Sequence, residues 1–199
     1  MDDLALKELQ KYETLWRSFP EYRKDSPADD FTPLFLAHFQ DRIRKGDAII
    51  DFGCGTGRSA KFLMDLEIHL VDLCENSLDP DIFLLTVGSK PSLHFIQGCL
   101  WDLPASLKAA DWILCFDTLE HLPEETIDAS LAEIASRMKR GGLLSITLCE
   151  DVFGRLIGQR LHLTVKPAHF WKEYILRYFC IEKEFFGNDN TLILALTPL

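Results

Sequence analysis

From residue 48 onward, short apolar runs alternate with helix-like stretches, and this alternation restricts the fold more than any other feature of the chain. AIIDF (48–52) reads as a strand, and residues 58–65 suit a helix. IHLVD (68–72) is a second strand, and Asp79-Pro80 opens another short helix. LHFIQ (93–97) and DWILCF (111–116) are the third and fourth strands. A helix is predicted over about 123–140, opened by Pro123 and two glutamates and closed by Arg137, Lys139 and Arg140. Gly141 and Gly142 would terminate it, and Ile127, Leu131, Ile134 and Met138 would be its buried stripe. LLSITL (143–148) is a fifth strand. The loop 151–172 follows, then a helix near 167–178. FCIEKEFF and TLILAL read as an antiparallel hairpin turning at Gly187-Asn188-Asp189. Such a pattern folds into a mostly parallel, doubly wound α/β sheet, and ligands of such sheets sit at the carboxyl ends of the strands.

Residues 1–47 read as a helical extension or lid, and 48–199 as the sheet domain. Leu9, Tyr12, Trp16 and Phe19 fall on one helical face. Pro20 and RKDSPADD break that helix, and a second is expected to start at Thr32-Pro33, burying Leu36, Phe39 and Ile43. The net charge of −10 argues against a nucleic-acid partner, which needs a basic footprint. No apolar run reaches the length of a membrane span, and the first residues lack the apolar run of a signal peptide. None of the six cysteines forms a C-x-x-C pair, so reduced thiols in a cytoplasmic protein are expected.

Residues 51–59 read DFGCGTGRS, and glycines spaced this way let a ligand approach the backbone. The dinucleotide fingerprint G-x-G-x-x-G does not fit, because Arg58 stands where its third glycine belongs. A P-loop does not fit either, since no G-K-[ST] follows. Asp72 ends the second strand, 19 residues beyond Gly53, where a carboxylate can accept from ribose hydroxyls or cap the next helix. Asp102, in QGCLWDLP, can take a hydrogen bond from an exocyclic amine or serve as a turn residue. Trp101 and Leu100 can frame a flat base. The fourth strand ends in CFDTLEHLP, a carboxylate pair and a histidine where the sheet opens.

Together these motifs resemble class I S-adenosylmethionine-dependent methyltransferases of the small-molecule type. IIDFGCGTG resembles the first motif, VDL (71–73) the ribose-binding strand end, and GCLWDLP the adenine-binding loop. FDTLEHL with MKRGGLLSIT resembles the stretch of the fourth and fifth strands. The resemblance implies a seven-stranded Rossmann-like sheet with helices on both faces and the last hairpin antiparallel. It implies S-adenosylmethionine as cofactor, with S-adenosylhomocysteine as product. Gly53 and Gly55 would border the methionine part and Asp51 would orient its amino group. Asp72 would hold the ribose, Leu73 would pack on adenine, and Trp101 and Asp102 would read its edge. Phe116 and Asp117 would floor the sulfonium.

The expected reaction is methyl transfer to an oxygen or nitrogen of a small molecule, with His121 as general base. His121 also suits the start of the following helix. Asp117, Glu120, His121 and His162 form a D-x-x-E-H…H pattern similar to metal-binding patterns in small-RNA 2′-O-methyltransferases and some quinone-precursor O-methyltransferases. The family often carries Glu-His here without an ion, so no metal ligand is assigned. Amino-methylating DNA enzymes share a Pro-Pro-aromatic motif where this chain reads DTLEH. Arg155, Arg160, Lys166 and Lys172 make the loop 151–172 locally basic, which points to an anionic acceptor. The competing readings are a cofactor-binding subunit without catalysis and an NAD(P)-dependent oxidoreductase. The cluster at 117–121 disfavours the first and Arg58 the second.

Overall fold

A computed structural model describes residues 2–88, 90–186 and 189–199. Seven strands form one sheet: β1 (Ala48–Phe52), β2 (Glu67–Asp72), β3 (Leu93–Gln97), β4 (Ala110–Phe116), β5 (Met138–Thr147), β6 (Phe179–Phe186) and β7 (Thr191–Pro198). Their order is β3-β2-β1-β4-β5-β7-β6. The first five run parallel, and β7 pairs antiparallel with both β5 and β6. The order reverses between β1 and β4, which opens a crevice beyond their carboxyl ends.

Strand side chains alternate between faces, so consecutive apolar residues feed two cores. Ile49, Trp112, Leu114 and Leu143 face Phe35 and Phe39 of α2 (Pro27–Phe39) and Ile82 of α3 (Pro80–Gly88). Ile50, Phe52, Ile113, Cys115 and Leu144 face the other way. They meet Ile127, Leu131 and Ile134 of α4 (Ile127–Ser136), and Trp171 and Ile175 of α6 (Ala168–Ile175). Burying each such side chain contributes roughly 1.5–3 kcal/mol.

The structure redraws several expected boundaries. The helix expected over 58–65 is one 3₁₀ turn, Arg58–Lys61. The second helix starts at Pro27, after Ser26, and carries Pro33 inside it. Its buried face is therefore Ala28, Thr32, Phe35 and Phe39. The helix expected over 123–140 is a 3₁₀ turn, Glu124–Thr126, followed by α4. Met138 to Gly142 already belong to β5. Gly142 pairs with Ile113, and a Cβ there would lie 2.3 Å from the Ile113 carbonyl oxygen. This glycine serves strand approach rather than helix termination. The loop 151–172 contains a short α5 (Gly154–Ile157), and the last helix ends at Ile175. Gly187 and Asn188 of the expected hairpin turn lie outside the described residues.

α1 (Asp3–Ser18) starts where Asp2 Oδ1 accepts from the Ala5 amide at 2.7 Å. Its buried residues are Ala5, Glu8, Lys11 and Leu15, not the aromatic stripe. Glu8 and Lys11 are ion-paired, and Lys11 Nζ donates to the Arg160 carbonyl at 3.2 Å. Two arginines fasten the segment between α1 and α2. Arg23 donates to the carbonyls of Ser77 (2.6 Å), Leu78 and Asn76. Arg58 donates to Asp79 (2.7 Å), Asp29 (2.9 Å) and the carbonyls of Arg23 and Lys24. No described helix is long and apolar enough to cross a membrane.

Candidate active site

A cavity of about 250 Å³ occupies the crevice at the sheet's reversal point. Its floor is the carboxyl end of β1, where Asp51, Gly53, Cys54 and Gly55 line it. Gly53 has φ +68°, and a Cβ on it would meet the Thr118 side chain at 2.3 Å. Only a residue without a side chain can hold this turn and leave the space above it open.

Three carboxyl groups converge on this floor. Asp51 is buried and accepts from Ser59 Oγ at 2.5 Å. Burial pushes its carboxyl up to about 7; the Ser59 hydrogen bond opposes that shift and nearby Asp72 adds to it. Asp72, ending β2, accepts from the amides of Gly55 and Cys74, both at 2.9 Å. Burial raises its carboxyl, and these backbone donors work against the rise. Asp117 follows β4 at φ 44°, a left-handed conformation that asparagine and aspartate tolerate best. Its amide donates to the Ser145 carbonyl at 3.0 Å, and Ser145 Oγ donates to Asp117 Oδ1 at 2.7 Å. Asp117 is likewise raised by burial.

The sides come from other elements. Leu73, Leu100 and Trp101 line one end, and Trp101 Nε1 donates to Asp2 Oδ2 at 3.2 Å. Phe116 and His121 line the opposite end. His121 Nδ1 lies 2.6 Å from Tyr12 Oη and 3.2 Å from the Leu161 carbonyl oxygen. Burial lowers its pKa to about 3, with His162 and Lys11 adding to the effect. The roof is aromatic and comes largely from the N-terminal segment. Trp16 and Tyr22 have ring centroids 4.6 Å apart, and Tyr22 meets Phe153 at 5.3 Å.

Of the residues expected at the site, Asp51, Gly53, Gly55, Asp72, Leu73, Trp101, Phe116, Asp117 and His121 all line this cavity. Asp102 does not. It is exposed, and its amide donates to the Cys99 carbonyl at 3.0 Å. Trp16 and Tyr22, read with Phe19 as a covering segment or as plain packing, line the cavity, whereas Glu8, Tyr12 and Phe153 were not foreseen as wall residues. One signal was available: the α1 aromatic stripe is flanked by Glu8 and Lys11, and charged neighbours make a poor core stripe.

Residues 49–142 match the family model described as a methyltransferase domain. That stretch of the chain is thus similar to a methyltransferase domain. Solved structures agree in fold. A 1,6-didemethyltoxoflavin-N1-methyltransferase from Burkholderia thailandensis, solved with its substrate and S-adenosylhomocysteine, superposes at TM-score 0.72 and 16% identity. The match covers 98% of this chain and 87% of that one. The PH0226 protein from Pyrococcus horikoshii OT3 gives TM-score 0.71 at 16% identity, covering 92% and 98%. Magnesium protoporphyrin IX methyltransferase from Synechocystis PCC 6803, with bound S-adenosylhomocysteine, gives 0.64 at 18%, covering 86% and 81%. At these identities the likeness concerns the fold. No curated protein matches the chain in sequence.

Proposed function

We propose that this chain transfers the methyl group of S-adenosylmethionine to an oxygen or nitrogen of a small molecule. The observation that carries the reading is the floor itself: bare backbone at Gly53 and Gly55 bordered by the buried carboxyl of Asp51 and the half-buried carboxyls of Asp72 and Asp117. The cofactor presents an ammonium, a sulfonium and a ribose diol, and such carboxyls suit all three. Asp51 faces the ammonium and Asp72 the ribose. Leu73 and Trp101 sandwich the adenine, and Phe116 and Asp117 lie beneath the sulfonium.

The methyl group is already activated by the positive sulfur, so the chain contributes mainly proximity and alignment, about 7–11 kcal/mol in well-oriented systems. An imidazole with a pKa near 3 takes up protons poorly at neutral pH, so His121 acts by position rather than as a proton store. The acceptor enters from the α1 side, between Tyr12, Trp16, Tyr22 and Phe153. Of the four basic loop residues, Arg160, Lys166 and Lys172 pair with Glu150, Glu124 and Glu184, and none of the four, Arg155 included, lines the cavity. An aromatic roof with Glu8, Glu21 and Asp25 on its rim supports a planar, uncharged or cationic acceptor. Six free cysteines support a reducing, cytoplasmic setting.

Calorimetry tests the cofactor: S-adenosylhomocysteine is expected to bind one per chain, and tighter binding of NADH would sink the reading. A turnover screen with S-adenosylmethionine against planar phenols, heterocycles and amines then identifies the acceptor class.

A further inference from the structure

Beside the reacting end of the cavity, Glu120, His121 and His162 each place one donor atom within 4.8 Å of the others. Their remaining atoms are already committed. Glu120 is fully buried; its Oε1 accepts from the Thr147 amide at 2.8 Å, while Oε2 is buried with no partner. A lone buried carboxylate oxygen costs about 1–3 kcal/mol or more, so a structure that keeps one has a use for it. His162 is buried, and its Nδ1 lies 2.6 Å from the Cys149 carbonyl. A carbonyl only accepts, so the His162 proton sits on Nδ1 and the Nε2 lone pair is available. His121 Nδ1 faces the Leu161 carbonyl at 3.2 Å, to which it can only donate, and Tyr12 Oη at 2.6 Å, which donates or accepts; the Nδ1–H tautomer is the one that leaves its Nε2 lone pair available. Neither Nε2 makes a hydrogen bond among the described residues. The two rings stand edge to face, 4.6 Å apart.

The geometry points to a binding site for one divalent first-row transition-metal ion, held by Glu120 Oε2, His121 Nε2 and His162 Nε2. Two imidazoles and one carboxylate select such ions over magnesium or calcium, which prefer all-oxygen sets. Donors sharing one such ion stand roughly 3–4 Å apart, so the set closes with movements of about 1 Å. Backbone carbonyls on both Nδ1 atoms are the outer partners that fix ring tautomers in metal sites. The sequence reading assigned no ligand here, because spacing alone does not reveal that Oε2 and both Nε2 atoms are left over.

The inference rests on the methyltransferase reading for its purpose. His121 lines the cavity, so an ion there would face the acceptor and favour one bearing a hydroxyl. Such an ion lowers the pKa of a bound hydroxyl. The hydroxyl proton then passes to solvent, the oxygen forms the new bond to the methyl carbon, and the C–S bond breaks with its electron pair returning to sulfur. Asp117, on the same loop, and Lys11 of α1 are the neighbouring charges.

The test is titration of chelator-treated protein with Co²⁺, read by visible absorption and by metal content after desalting. One Co²⁺ per chain, displaced by Zn²⁺, is expected. His162→Gln and Glu120→Gln should each weaken Co²⁺ binding by about 10–100-fold or more. His162→Gln should leave S-adenosylhomocysteine affinity within about threefold, because His162 lies outside the set of residues that line the cofactor cavity. That control shows that the variant is folded. Native protein that takes up no Co²⁺, Zn²⁺, Mn²⁺ or Fe²⁺ overturns the site, as does Co²⁺ binding unchanged in His162→Gln. Failure to bind S-adenosylhomocysteine would instead count against the cofactor reading, and the metal titration would still stand or fall alone.

Discussion

Asp51 has Ser59 as its hydroxyl partner and forms no ion pair among the described residues, so its charge is costly until a cation arrives. The folded pKa, about 7, lies above the unfolded value of 3.8, so the folded chain holds the extra proton between those values. Stability of the free protein therefore falls as pH rises through that window, by at most about 1.4 kcal/mol per unit from this group. Asp72 and Asp117 act in the same direction. A cationic cofactor favours the ionised carboxyl, so binding releases protons and affinity rises with pH up to about 7. Calorimetry of S-adenosylmethionine in buffers of different ionisation enthalpy reads that release; Asp51→Asn should reduce it, and proton uptake would contradict the assignment. Gly53 makes a second residue-scale case. Gly53→Ala puts a methyl 2.3 Å from Thr118 at positive φ, expected to cost about 2–4 kcal/mol. Thermal denaturation should show Gly53→Ala melting below wild type, with Thr118→Ala restoring only part of the loss because the φ strain stays. Both residues line the cavity and were singled out in the sequence by the glycine motif that contains them. Asp102 lies outside the cavity lining, and a strand-end aspartate and a turn aspartate look alike until the bond of its amide to the Cys99 carbonyl is seen.

At the scale of elements, the strands were readable because each carries an apolar run that must be covered on two faces. Helix boundaries were less readable. KRGG has the composition of a helix end, yet Gly142 is needed where β5 passes the Ile113 carbonyl, a tertiary demand that no local pattern reports. Ser26-Pro27 was read as a break although Pro27 opens α2, since Ser-Pro fits both a turn and a first helical turn. Arg58 had been legible only as a missing glycine. In the fold it is a tie between the Arg58–Lys61 turn, Asp79 before α3, and the carbonyls of Arg23 and Lys24. Its side chain is 18% exposed and that of Asp79 13%, so this ion pair is shielded from solvent, whereas Asp29 is 44% exposed. Arg58→Ala leaves Asp79 and two carbonyls without this donor, and a loss of about 2–3 kcal/mol is expected. Urea denaturation reads the loss. Arg58→Lys should recover less than half of it, because an ammonium cannot span the same four acceptors.

The whole molecule divides into a sheet domain with two dry cores and an N-terminal segment that reaches the cavity through mostly polar ties. Glu8 and Lys11 are ion-paired under α1, Tyr12 meets His121, Asn76 Nδ2 donates to the Glu13 carbonyl at 3.1 Å, and Asp2 meets Trp101. Ties of this kind give way at lower free energy than the Phe35–Phe39–Trp112 packing beneath α2. A cavity of about 250 Å³ also lies at the low end for small-ligand sites, which run about 300–1,000 Å³. Cofactor and acceptor together need more room, and the roof that includes Trp16 and Tyr22, tied down mostly by polar contacts, is the wall expected to yield. The lid role read from the sequence for the first residues thus becomes a statement about residues 2–26, because α2 packs in the core with the sheet. Hydrogen exchange should show α1 opening faster than β1, β4 and β5 in the free protein. On adding S-adenosylhomocysteine, α1 amides should slow by about tenfold or more, while the central strands, already limited by global unfolding, stay unchanged. Equal protection of α1 and the central strands without ligand would mean the roof is a fixed wall, and the acceptor would then need another way in.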